Sequence, residues 1–343
     1  MRKLINITFL LIFILGMIGT FLVYGEASSG HNIRFYFSLV SAIYIPICFI
    51  YFFRRIDIFE KEKWTDLILV FLAGCSSVFL LSELILPFRN ELFTSLWTDY
   101  PTFFDMFFGV AVLEEITKII PVLIILRRTD VMNEPIDYII YSSVSALGFV
   151  FIENIDYIYM YSESSANIIA VRSFLPSVLH MVTTSILGYG LFLFIVSRKF
   201  KYIFWSFLAA CLIHTLYNLF GTTLSLIILL VSAGYFSNIT RDLLELSPFY
   251  DKEKIKNVKS DYRYMFFIIA GVLIMDFIFE ISYSGSYDIR QVFYLGAGGY
   301  YIFSSFMSGS FGMNKDEPSK NRGDNLHHSQ RKIIINYYER INQ

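Results

Sequence analysis

Apolar runs about twenty residues long recur along this chain, and about that many residues of helix are needed to cross a bilayer core about 30 Å thick. They fall at 4–24, 35–53, 66–88, 103–126, 138–161, 167–197, 202–220, 222–236, 264–282 and 291–312. The reading is an all-α, polytopic transmembrane helix bundle of about ten spans, in a range of about eight to ten. Composition agrees: 55% of the 343 residues are hydrophobic and 17% are charged, against about 25% charged in a soluble domain. A soluble protein with an oversized core has no use for runs this long. The net charge of −1 offers no surface for nucleic acid. Cys48, Cys75 and Cys211 lie far apart inside apolar runs, so neither a disulfide framework nor a paired-cysteine metal motif can be built.

Lys and Arg set the orientation. Arg2 and Lys3 precede the first run, and Arg54, Arg55, Lys61 and Lys63 follow the second. Arg127 and Arg128 follow the fourth, and Arg198, Lys199 and Lys201 the sixth. The segment from Arg241 to Arg263 follows the eighth, and a basic-rich tail follows the tenth. Every second loop is basic, which is what ten spans with both termini in the cytoplasm require. Residues 1–27 read as a retained span, because their apolar run exceeds the roughly 7–15 residues of a signal-peptide core. The expected organisation is N-terminal spans in 1–100 and a catalytic four-span core in 101–222. Further spans in 223–312 follow, with a cytoplasmic loop at 237–263, and then a hydrophilic cytoplasmic tail at 313–343. The run at 167–197 is too long for one crossing and contains Pro176, which cannot donate to the helix ladder. An interfacial piece over 167–175, then a span from Ser177, is the expected resolution.

Against this background "VLEEITKII" is costly. A charge at a helix centre in lipid costs about 2.5–3.5 kcal/mol, and Glu114, Glu115 and Lys118 put three charges in five residues. At about 100° per residue, Lys118 falls angularly between the two glutamates, so both carboxylates can reach one ammonium. The triplet still carries one negative charge or one extra proton, and such a group suits acid–base chemistry. The next three runs carry matching residues: Phe149, Glu153 and Asn154 in "GFVFIEN", His180 in "LPSVLHMVTT", and His214 with Asn218 in "HTLYN".

Helix rise puts Glu114 near ~17 Å from the outer side, Glu153 near ~12 Å, His180 near ~15–20 Å and His214 near ~9 Å. Four consecutive helices thus offer polar groups at comparable depth. The blander readings are a self-neutralised pair beside a water cavity, packing histidines, interhelical hydrogen bonds for Asn154 and Asn218, and a headgroup anchor for Arg172. There is no HExxH and no zinc spacing, so the sequence requires no cofactor. Two His and a carboxylate meeting in space leave a divalent metal such as zinc open.

These segments together resemble the PrsW family of intramembrane proteases, within the wider CPBP group that includes the type II CAAX prenyl endopeptidases. "EEITK", "GFVFIEN", His180 and "HTLYN" carry the resemblance, over about residues 100–222. The CAAX enzymes have Arg one position further from the glutamate pair, and His where this chain has Glu153, so the likeness is to the PrsW branch. The resemblance implies an intramembrane endopeptidase of the bacterial cell membrane that uses activated water. Its substrates would be single-span membrane proteins such as anti-sigma-factor-type regulators. It implies Glu114, Glu115, Glu153, His180, His214 and Asn218 as the catalytic set, with Lys118, Asn154, Phe149 and Arg172 in support. Glu114 is the expected base, with Glu115 its partner or a structural carboxylate held by Lys118, and the sequence leaves the division between the two glutamates open. His180 and Glu153 would orient the water or shuttle the proton, and His214 with Asn218 would be the oxyanion donors. Two other classes remain in play: an ion-coupled transporter, which predicts inverted repeats, and a non-catalytic scaffold or immunity protein.

Overall fold

The structure is a computed structural model that describes residues 45–54, 56–85, 102–126, 131–160, 166–220 and 222–251. All regular elements among them are helical. The runs at 4–24, 264–282 and 291–312, and the tail, lie outside the described residues.

Helix α1 is Ile45–Arg54. Helix α2 is Trp64–Phe79 and continues through a wide π-turn segment, Leu80–Ile85. Helix α3 is Val112–Ile125. A four-residue α segment, Phe103–Met106, and a π-turn segment, Phe107–Ala111, lead into it without a break. Thr102 caps that lead-in: its hydroxyl accepts from Asp105 N at 3.3 Å while Asp105 Oδ2 accepts from Thr102 N at 2.8 Å. Helix α4 is Asp137–Met160, α5 Ala166–Ser197, α6 Lys201–Leu219 and α7 Thr222–Glu245.

Five helical windows among the described residues are long and apolar enough to cross a membrane: Trp64–Glu83, Asp137–Tyr157, Phe174–Ser197, Lys201–Leu219 and Leu224–Glu245. Two expectations need correction. The run at 167–197 does not divide at Pro176: α5 passes through the proline as one helix. A proline costs one ladder bond and a bend, which an otherwise long, well-packed helix can absorb. The segment expected as a polar loop from 237 is helical as far as Glu245. Ile239, Leu243 and Leu244 are buried there, which the charged neighbours in the sequence concealed.

Helices α4 and α5 form the centre; 83% and 89% of their windows are buried, against 22% for α6. Small residues bring α2 and α4 together. Gly74 lies under the backbone carbonyl of Ser145, and Gly148 lies under that of Phe71, so any Cβ at either site would overlap backbone. Hydroxyls then tie the centre together. Ser145 Oγ donates to the Lys118 carbonyl of α3 at 2.6 Å, and the Ser143 and Ser185 hydroxyls meet at 2.6 Å.

A second polar group closes the end of the bundle where α4 starts. Asp57 Oδ2 accepts from Glu62 N at 2.7 Å. Asp137 Oδ2 accepts from Asn133 N at 2.8 Å and Glu134 N at 2.6 Å. The Tyr141 hydroxyl donates to Glu62 Oε2. All four acids are buried. Burial, then the nearby Glu134 carboxylate, pushes Asp57 up to about 8, and burial pushes Glu62 up to about 7.

Candidate active site

The Glu114–Lys118 turn follows the π segment directly, a placement π-turns favour at functional sites. Lys118 is fully buried. Its Nζ lies 3.2 Å from Glu114 Oε2 and 2.9 Å from Glu115 Oε1, so the angular argument from the sequence holds. The Phe149 ring of α4 packs 4.8 Å from the ammonium, a cation–π contact.

The two glutamates are treated differently. Glu115 is fully buried and accepts four hydrogen bonds: Lys118 at 2.9 Å, Thr183 at 3.0 Å, Thr184 at 2.8 Å and His214 Nδ1 at 3.0 Å. Glu114 Oε2 is buried yet accepts no hydrogen bond among the described residues. It faces His214 Nε2 at 3.7 Å and His180 Nδ1 at 3.8 Å. The Glu114 side chain remains partly accessible.

The partners fix the ring tautomers. A lysine ammonium can only donate, so His180 Nδ1, 2.5 Å from Lys118 Nζ, accepts. Its proton then sits on Nε2, 3.0 Å from Glu153 Oε2. His214 gives its Nδ1 proton to Glu115, which leaves the Nε2 lone pair pointing inward. That nitrogen is an acceptor, so the oxyanion role expected of His214 needs a second ring proton. The two rings meet edge to face with centroids 4.9 Å apart.

The remaining expected residues divide. Phe149 is buried against both Lys118 and His180. Asn154 is buried, and its Nδ2 has no hydrogen-bond partner among the described residues. Asn218 is exposed, and no hydrogen bond joins it to the cluster among the described residues. The Arg172 side chain lies outside the described residues. Thr183 and Thr184 were not singled out from the sequence. They stand three and four residues after His180, on the same helix face, and that spacing was the available signal.

Glu114, His180 and His214 each offer one ligand atom, all within 4.8 Å of one another. Four ligands around zinc at about 2.0–2.1 Å stand about 3.4 Å apart, and two of the separations here, 3.7 and 3.8 Å, lie near that. Both inward lone pairs are backed by a carboxylate on the far ring nitrogen, Glu153 for His180 and Glu115 for His214, the usual support for metal-bound histidine. The donor set therefore fits a divalent metal.

Helices apolar enough to cross a membrane, with glutamate and histidine gathered in their buried centre, make an arrangement that suits an intramembrane peptidase. The comparisons give the family. A family model described as PrsW family intramembrane metalloprotease matches residues 62–239, and the chain belongs to that family. It is also similar to Protease PrsW of Geobacillus kaustophilus (strain HTA426), 29% identical over 185 residues that cover 53% of this chain and 79% of that protein. No solved structure matches the chain.

Proposed function

We propose that this intramembrane endopeptidase cleaves single-span, membrane-anchored proteins of the bacterial cell membrane. Glu114 is the carboxylate that meets the reactant, and Glu115 is the anchor. The contrast in hydrogen bonding carries this assignment: Glu115 has four donors and Glu114 Oε2 has none. A carboxylate that already accepts four hydrogen bonds makes a poor base, whereas one whose Oε2 accepts none and lies beside an imidazole lone pair has room for a water hydrogen.

Water held between Glu114 Oε2 and His214 Nε2 gives its proton to Glu114 as its oxygen bonds to the scissile carbonyl carbon. Glu114 returns the proton to the departing amine. Lys118 is the cation nearest the developing negative charge. Glu115, held by Thr183 and Thr184, keeps His214 in the tautomer that presents Nε2.

Glu114, His180 and His214 would hold a divalent metal, which when bound supplies Lewis-acid polarisation of the carbonyl. Glu153, partly exposed beside His180, is then the carboxylate left to take the proton.

The ten-span arrangement with cytoplasmic termini, and kinship with the CPBP group, belong to the same proposal; the alternation of basic loops and the motif order support them. Regulators of the anti-sigma-factor type are the substrate class that the PrsW likeness suggests. Cleavage of a single-span substrate in proteoliposomes tests the site with wild type, Glu114→Gln, Glu115→Gln and His180→Ala. Glu114→Gln should lose about 10²–10⁴-fold in rate. Undiminished cleavage by all three variants would sink the assignment.

A further inference from the structure

A neutral imidazole nitrogen has one lone pair, and it lies in the ring plane. Lys118 Nζ takes that of His180 Nδ1 at 2.5 Å. A metal shared with Glu114 and His214 would need the same lone pair, since Nδ1 is the His180 atom facing Glu114 Oε2 at 3.8 Å. The ammonium also lies 3.2 Å from Glu114 Oε2. One cation therefore already sits among two of the three metal ligands.

We propose that the Lys118 ammonium and a divalent metal are alternative occupants of this position, and that Lys118 keeps the ligand set assembled until it is displaced. The inference rests on the active-site reading above. Lys118 need not leave the cluster to yield. Glu115 Oε1 at 2.9 Å and the Phe149 ring at 4.8 Å can hold the ammonium after it releases Nδ1. Without a cation among them, Glu114, Glu115 and Glu153 would repel one another in a buried space. Lysine thus makes the empty site stable, and it also weakens the hold on metal.

The test is zinc affinity of the full chain in detergent, measured by competition with a chromogenic chelator and checked by the visible absorption of bound cobalt. Lys118→Met should tighten zinc binding by about ten-fold or more, the scale seen when groups around a metal site change. Lys118→Gln is the second variant should Met fail to fold, with the same expected direction. His214→Ala placed on either variant should abolish the gained affinity, which assigns it to this site. Equal or weaker zinc binding by both lysine variants overturns the proposal, as does absence of binding in wild type and variants alike. Failure of the active-site reading looks different: His180→Ala and Glu114→Gln would still cleave at the wild-type rate.

Discussion

Buried acids gather at two levels of α4. At its start are Asp57, Glu62, Glu134 and Asp137, with the Tyr141 hydroxyl among them. About 24 Å further along the helix, at Glu153, α4 joins Glu114, Glu115, Lys118 and two histidines. In the second group a fully buried lysine stands among the carboxylates. In the first, acids press on acids, and Asp57 and Glu62 keep their protons well above the usual carboxylate range. One region meets burial with counter-charge, the other by holding on to protons. Counter-charge offsets the burial of carboxylates by pairing them. Retained protons make neutral, hydrogen-bonding struts that suit a joint between the loop before α2 and the base of α4.

The comparison can be broken at several points. The largest effect belongs to Glu114→Gln: loss of cleavage by about 10²–10⁴-fold, with a smaller loss of stability than Glu115→Ala, because Glu114 has one ion pair, to Lys118 at 3.2 Å, and its Oε2 accepts no hydrogen bond among the described residues. Glu115→Ala should lose both cleavage and stability. It leaves Lys118 and two threonines facing an empty place, and breaking a buried pair costs about 3–5 kcal/mol; chemical denaturation in detergent measures this. Gly148→Leu should cost about 1–3 kcal/mol by prising α4 from Phe71, and cleavage should fall as Glu153 moves with its helix.

The smallest effect comes from pH. The folded pKa of Asp57 and Glu62 is raised above 3.8 and 4.5, so their stabilising contribution is complete below about 4. It is lost as pH climbs through about 7 for Glu62 and about 8 for Asp57. The melting temperature should fall over that window, by about 2–4 °C for each kcal/mol lost, and Asp57→Asn with Glu62→Gln should flatten the slope. A slope unchanged by both substitutions would mean that the two regions handle burial in the same way.

Much of the central group was legible because charge in an apolar run is conspicuous. Glu114, Glu115, Lys118, Glu153, His180 and His214 stood out for that reason, and the structure brings all six together. Asn218 was chosen by its four-residue spacing from His214, but a helix face that starts in a cluster can end exposed within one turn. Thr183 and Thr184 escaped notice because hydroxyls are common in membrane helices, where they bond back to their own carbonyls. The acids at the base of α4 were invisible for another reason. Between apolar runs, Asp57 and Glu62 read as ordinary loop charges, and only the packing of α4 against that loop buries them. Helix boundaries failed at Pro176 and beyond 236, where local chemistry argued for a break that packing overrides.

The π segment Phe107–Ala111 bears on how such a site could be gained or lost. A π-turn holds one residue more than the α-turn it replaces, and one residue is about 100° of helix rotation. A substitution that relaxed this segment to regular α-helix at unchanged length would leave every catalytic side chain in the sequence. It would still turn the exposed Phe104 and Phe108 out of phase with the glutamates that follow. The active site is thus held by a reading frame in space, and it can be silenced by the smallest possible edit without touching any residue that does chemistry.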